Sequence, residues 1–136
     1  LKAAMTARIE RPLSPHLQTY RVTLTMALSI IHRATGVALY FGTLLLAWWL
    51  IAAAAGPGAY ANVQAFTRSV IGKLILFGYT WALLHHLVSG IRYFVWDLGY
   101  GFKANEREAL TWGALIAGIS LTVVVWIIAY AAGAGR

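Results

Sequence analysis

Leu83-Leu84-His85-His86-Leu87-Val88-Ser89-Gly90-Ile91-Arg92-Tyr93-Phe94-Val95-Trp96-Asp97 puts two adjacent histidines in the middle of a run that otherwise reads as membrane-spanning. The run then closes on an arginine, an aromatic pair and an aspartate. An ionised group at bilayer depth costs roughly 2.5 kcal/mol or more, so such residues mark functional positions by default. A neutral histidine costs less, and one hydrogen-bonded to a neighbouring helix is an ordinary structural element. Taken alone, this stretch leaves ligand and structural roles open.

The composition around it favours a membrane protein. Of 136 residues, 60% are hydrophobic and only 11% charged, with a mean hydropathy of +0.70. Soluble domains carry about a quarter charged residues. The expected class is therefore all-α, with three transmembrane helices in one polytopic domain. The formal net charge of +7 is distributed between apolar runs rather than gathered on a polar face. That placement fits topology and anionic lipid head groups in a bilayer, and not nucleic acid. The absence of cysteine excludes disulfides, thiolate-held iron–sulfur clusters and covalent c-type haem in this chain.

Outward from the histidine pair, the chain divides simply. Residues 1–21 are polar and basic, with prolines at Pro12 and Pro15 that oppose a continuous helix, and are read as an inner-face surface segment. Met5 is a candidate initiator, and this N-terminus lacks the apolar core of a signal peptide. Residues 22–136 form the anchor domain, with spans expected at about 28–55, 70–96 and 109–132, and 22–33 as a mixed transitional piece. Between the first two spans, Gly56-Pro57-Gly58 breaks the chain and 59–69 reads as a modest polar loop. Trp48 and Trp49 suit an interfacial belt, and Lys73 can snorkel to its own interface. Lys and Arg concentrate in the N-terminal segment and in 92–107, against Arg68 and Arg136 elsewhere. This asymmetry predicts the N-terminus inside and the C-terminus outside.

With that topology, two polar clusters on different helices converge in the inner half of the membrane. Ser29, His32, Arg33 and Gly36 share a face by three-and-four spacing. His86 shares its own with Tyr79, Ala82, Ser89 or Gly90, Tyr93 and Asp97, whereas His85 points about 100° away, among Trp81, Val88 and Arg92. Small residues beside a histidine admit a close helix or a flat ligand, which favours His86. Zinc is disfavoured because no second ligand follows His86 at i+3 or i+4. A haem would need a second axial ligand, and His32 reads as too near the interface to supply it, so the mate is expected from another subunit. Arg33 is either a topology anchor or a partner for an anionic group or a quinone carbonyl. Ser29 is either a donor to the same carbonyl or back-bonded to its own helix.

Four motifs in order carry a family resemblance: Arg11-Pro12-Leu13-Ser14-Pro15-His16-Leu17, Ser29-Ile30-Ile31-His32-Arg33-Ala34-Thr35-Gly36, His86-x-x-x-Gly90-Ile91-Arg92, and Trp96-Asp97-Leu98-Gly99. Together they resemble the large cytochrome b anchor subunit of succinate dehydrogenase, over roughly residues 11–102. The resemblance implies a bacterial inner-membrane protein, with the mitochondrial inner membrane as second choice. It implies a non-flavin subunit, not active alone, that pairs with a second small anchor subunit and docks the iron–sulfur and flavoprotein subunits.

The resemblance also assigns roles to residues. His86 would be an axial ligand of a haem b whose other ligand comes from the partner anchor. Ser29 and Arg33 would line the ubiquinone site, and His32 and Arg33 would lie near a haem propionate or the same pocket. Tyr93 stands where the family pattern usually has histidine, so it takes over a propionate or water contact or leaves it unfilled. Apart from the resemblance, Asp97 lies on the His86 face near the water interface, as a proton relay, a partner for a basic residue or a solvated helix-end acid. Two rival functions stay open: a fumarate reductase anchor using menaquinone, and a non-redox transport or assembly subunit.

Overall fold

The computed structural model describes residues 11–133. The part of the expected surface segment carrying Lys2, Met5 and Arg8 lies outside the described residues, as does Arg136. The chain is all-helical among these residues: α1 (Leu24–Ala55), α2 (Pro57–Arg68), α3 (Val70–Asp97) and α4 (Ala104–Ala131). Three of them, α1, α3 and α4, are long and apolar enough to cross a membrane, as the composition led one to expect.

Two sequence expectations are corrected. The transitional piece 22–33 is helical from Leu24 onward, because Thr23 caps α1 by accepting from the Met26 amide at 3.3 Å. The loop at 59–69 is the helix α2. Gly56, at φ 109°, ends α1 in a conformation that favours glycine, and Pro57 then occupies the first turn of α2, where its missing N–H is no loss. Ser69 stops one helix and starts the next. Its hydroxyl donates to the Phe66 carbonyl at 2.6 Å and accepts from the Gly72 amide at 3.0 Å. Gly72 itself lies directly against the Phe66 backbone, so the α2–α3 corner has no room for a side chain.

Segment 11–23 is exposed and non-helical, with one turn in which the Thr19 hydroxyl donates to the Ser14 and His16 carbonyls. At the other connection, Gly99 and Gly101, at φ 86° and 79°, turn the chain from α3 into α4.

Helix α3 is central and packs on α1, α2 and α4. What it buries is unusual for a water-soluble bundle. Thr35, His85, Ser89, Arg92, Thr111 and Thr122 are all enclosed, alongside mostly small apolar residues such as Ala52, Ala82 and Ala114. Large apolar side chains point outward instead, among them Phe41, Leu44, Ile71, Leu74, Ile127 and Ile128. In lipid the outward apolar surface costs nothing, and helices associate through small residues and interhelical hydrogen bonds.

Candidate functional site

The two polar clusters do meet, in the seam between α1 and α3. Ser29 Oγ lies 2.8 Å from the Tyr93 hydroxyl. The His32 ring stacks on the His86 ring, with centroids 4.0 Å apart and planes 9° apart, and the Tyr93 ring tilts against His32 at 5.0 Å. Gly36 makes this approach possible, since a Cβ there would stand 3.1 Å from His86 Cε1. His32, read from the sequence as too near the interface to supply a second axial ligand, thus stands beside His86 in the seam. Because α1 begins at Leu24, His32 sits about two turns into the helix, roughly 12 Å along it, close to the depth of His86 above the end of α3.

The hydrogen bonds around His86 fix its tautomer. Its Nδ1 is 3.1 Å from the His32 carbonyl oxygen and 3.2 Å from Thr35 Oγ1. The Thr35 hydroxyl spends its own proton on that same carbonyl, at 2.8 Å. A carbonyl only accepts, and a hydroxyl whose proton is already donated is left as an acceptor. Nδ1 therefore carries the proton, and in the neutral ring the lone pair resides on Nε2. Nε2 takes no hydrogen bond from any described residue. A ring N–H held by a backbone carbonyl, with the opposite nitrogen open, is the usual arrangement of a metal-ligating histidine. No group of three His, Cys, Asp or Glu that could hold a bare metal ion occurs among the described residues. An iron already held in a macrocycle asks a protein only for axial ligands, and His86 can give one.

His85 occupies a different place. It is fully buried against α4, where a Cβ on Gly118 would lie 3.0 Å from its Nδ1. Its Nε2 is 3.2 Å from Ser89 Oγ, and its ring stacks on Trp81. Ser89, grouped with His86 by phase as an alternative to Gly90, thus belongs to His85, one turn away at i+4. Gly90 has open space where its side chain would be.

The remaining expected residues divide. Arg33 is exposed and does not share the inward face of Ser29, His32 and Gly36. It lies instead on an outward stripe with Met26, Ile30, Val37, Tyr40 and Phe41, all exposed. Its phase, 100° beyond His32, puts it over the edge of the buried face. Asp97 is exposed as the last residue of α3. Two residues escaped sequence reading. Thr35 orients His86, and the signal for it was its place one turn after His32. Arg92 entered through topology, His85's face and the third motif without a site role, yet it is enclosed in the bundle.

Comparison with known proteins decides the lineage. The profile of the Succinate dehydrogenase/Fumarate reductase transmembrane subunit family matches residues 7–129. The chain belongs to this family. It is 44% identical over 123 residues to the succinate dehydrogenase cytochrome b556 subunit of Paracoccus denitrificans, covering 90% of this chain and 94% of that one. The corresponding subunit of Rickettsia felis is 39% identical over 118 residues, covering 87% and 92%. The mitochondrial succinate dehydrogenase cytochrome b560 subunit of Bos taurus is 36% identical over 103 residues, covering 72% of this chain and 59% of that one. As a succinate dehydrogenase anchor the chain is a multi-pass membrane subunit of an oxidoreductase complex.

Proposed function

We propose that this chain is the cytochrome b-type anchor of a bacterial succinate:ubiquinone oxidoreductase, with His86 as one axial ligand of a b-type haem. The observation that carries the reading is the His86 ring, its Nδ1 proton tied to α1 and its Nε2 open. The haem, when bound, supplies a one-electron iron centre. A second small anchor subunit would supply the haem's other protein ligand, and the flavoprotein and iron–sulfur subunits would sit on the inner face with the exposed segment 11–23. By the positive-inside asymmetry, the inner face holds the N-terminus and the 92–107 region. The non-flavin chain is inactive alone because succinate oxidation and electron delivery belong to its partners. Relatives named as succinate dehydrogenases favour this direction over fumarate reduction with menaquinone.

Ubiquinone takes up two electrons and two protons at the inner end of α1. Ser29 offers a hydroxyl to one carbonyl, and its present partner, the Tyr93 hydroxyl, keeps it aimed into the α1–α3 seam. Arg33 stands one turn further on the exposed side, where its charge stabilises the anionic oxygen that develops as the carbonyl is reduced. Tyr93 also faces His32, so it spans the haem-side and quinone-side groups. Asp97, exposed at the helix end, is placed to exchange protons with water.

A reduced-minus-oxidised optical spectrum of the purified complex tests the haem. A b-type absorption is expected, and its absence would turn the reading toward a non-redox anchor or assembly subunit. Arg33→Ala is expected to lower ubiquinone reduction about a hundredfold while succinate oxidation with an artificial acceptor persists. If both activities survive, Arg33 is only a topology anchor.

A further inference from the structure

Arg92 lies between one and two turns before the end of α3, where a cation serving topology alone would extend to the head groups. It turns inward instead, and only 2% of it is exposed. Its Nη1 donates to Thr111 Oγ1 across a long 3.4 Å, while Nε and Nη2 are buried without partners. The guanidinium carbon stands 5.2 Å from the Tyr93 ring centroid and 4.9 Å from that of Trp96. Among the described residues no carboxylate pairs with it, the ion pair present being Lys103 with Glu106 at 3.6 Å on the surface. Among the described residues, Arg92 is thus a buried charge without a counter-ion.

Such a charge is costly to keep, and two aromatic faces and a distant hydroxyl offset little of that cost. Its field, however, is weakly screened in the bundle interior, and a contiguous set of rings leads from it to the site. The guanidinium faces Tyr93, Tyr93 faces His32 at 5.0 Å, and His32 stacks on His86 at 4.0 Å. We propose that Arg92 is a positioning charge that raises the reduction potential of the iron held by His86. The inference rests on the haem reading above. One electron added to iron(III) gives iron(II), and a fixed positive charge nearby favours the state carrying that extra electron. No direct contact is required. The residue matters through its charge, and its hydrogen bond to Thr111 only holds the guanidinium in the three-helix core.

The test is an optical redox titration of the assembled complex in membranes. Arg92→Gln removes the charge and retains a polar side chain. Thr111→Glu leaves the arginine in place and neutralises it with a carboxylate at the neighbouring position. Each is expected to shift the iron(III)/iron(II) equilibrium about tenfold toward the oxidised form, which for a one-electron couple is about 59 mV. Arg92→Lys, which keeps the charge, should shift it little, and the absorption line shape should persist in all three. A potential unmoved in Arg92→Gln or in Thr111→Glu overturns the proposal while leaving haem ligation intact. Failure of both neutralised variants to assemble makes Arg92 structural and overturns it too. A native complex with no b-type absorption instead defeats the haem reading itself, and this proposal with it.

Discussion

Replacing His86 with leucine is expected to abolish the low-spin, two-ligand spectrum of the b-type haem, while His85→Leu leaves that spectrum in place. The contrast follows from the two helix seams. His86 faces α1, with Nδ1 committed to the His32 carbonyl and the Thr35 hydroxyl, so its basic nitrogen is directed away from its own anchor points. His85 faces α4 with no exposed surface, its Nε2 beside Ser89 and its Nδ1 against Gly118. A haem cannot reach that seam without parting α3 from α4. Low-temperature electron paramagnetic resonance on the oxidised complex reads the ligation state directly. The carbonyl–threonine anchor adds a graded version: Thr35→Val leaves the His32 carbonyl but loses one acceptor, and haem retention should weaken about tenfold. A normal low-spin signal in His86→Leu would move the ligand elsewhere, with His85 the first place to look.

The residues that sequence reading placed correctly, and those it misplaced, differ for physical reasons. Three apolar runs separated by turn residues and basic clusters suffice to give three long helices, because a bilayer demands internally bonded backbone over a set length. The ends were harder. Thr23, Thr25 and Ser29 lower apparent hydropathy at the start of α1, yet Thr25 meets Thr111 at 3.2 Å and Ser29 meets Tyr93 at 2.8 Å inside the bundle. Polar atoms that pair between helices cost little in lipid, and a hydropathy reading has no knowledge of the pairing. The same polar start made His32 read as near the interface, although its ring stacks on His86 in the seam. α2 was read as a loop because its polar residues Asn62, Gln64 and Thr67 resemble a connection, although Val63 is buried beneath it. Arg33 was read as a site residue and Arg92 was not, and nothing in the sequence told how deeply either is buried. Only packing shows that one is exposed and the other enclosed.

Gly118→Leu is expected to prevent assembly of the anchor. Helices α3 and α4 approach so closely at this level that a bare Cβ on Gly118 would stand 3.1 Å from His85 Cα and 3.2 Å from its Cβ. These are main-chain and first side-chain atoms, which cannot rotate out of the way as the end of a flexible side chain can. An added methyl already forces α4 outward by a few tenths of an ångström, and a leucine forces the seam open. Overpacking a well-filled interior costs about 1–3 kcal/mol, and more where backbone must move. Here the displacement also strips contacts from polar groups on both sides. Trp126 Nε1 donates to Thr80 Oγ1 at 3.3 Å, and Arg92 reaches Thr111 across the same interface. Lipid does not penalise the exposed apolar faces that remain, so the separated helices have no hydrophobic force to bring them back. Gly118→Ala should therefore yield a complex that extracts and purifies with a lowered melting temperature. Gly118→Leu should leave the other subunits without a membrane anchor, detected as succinate oxidation activity released into the soluble fraction. If Gly118→Leu assembles and retains membrane-bound activity, the α3–α4 seam is looser than its geometry indicates.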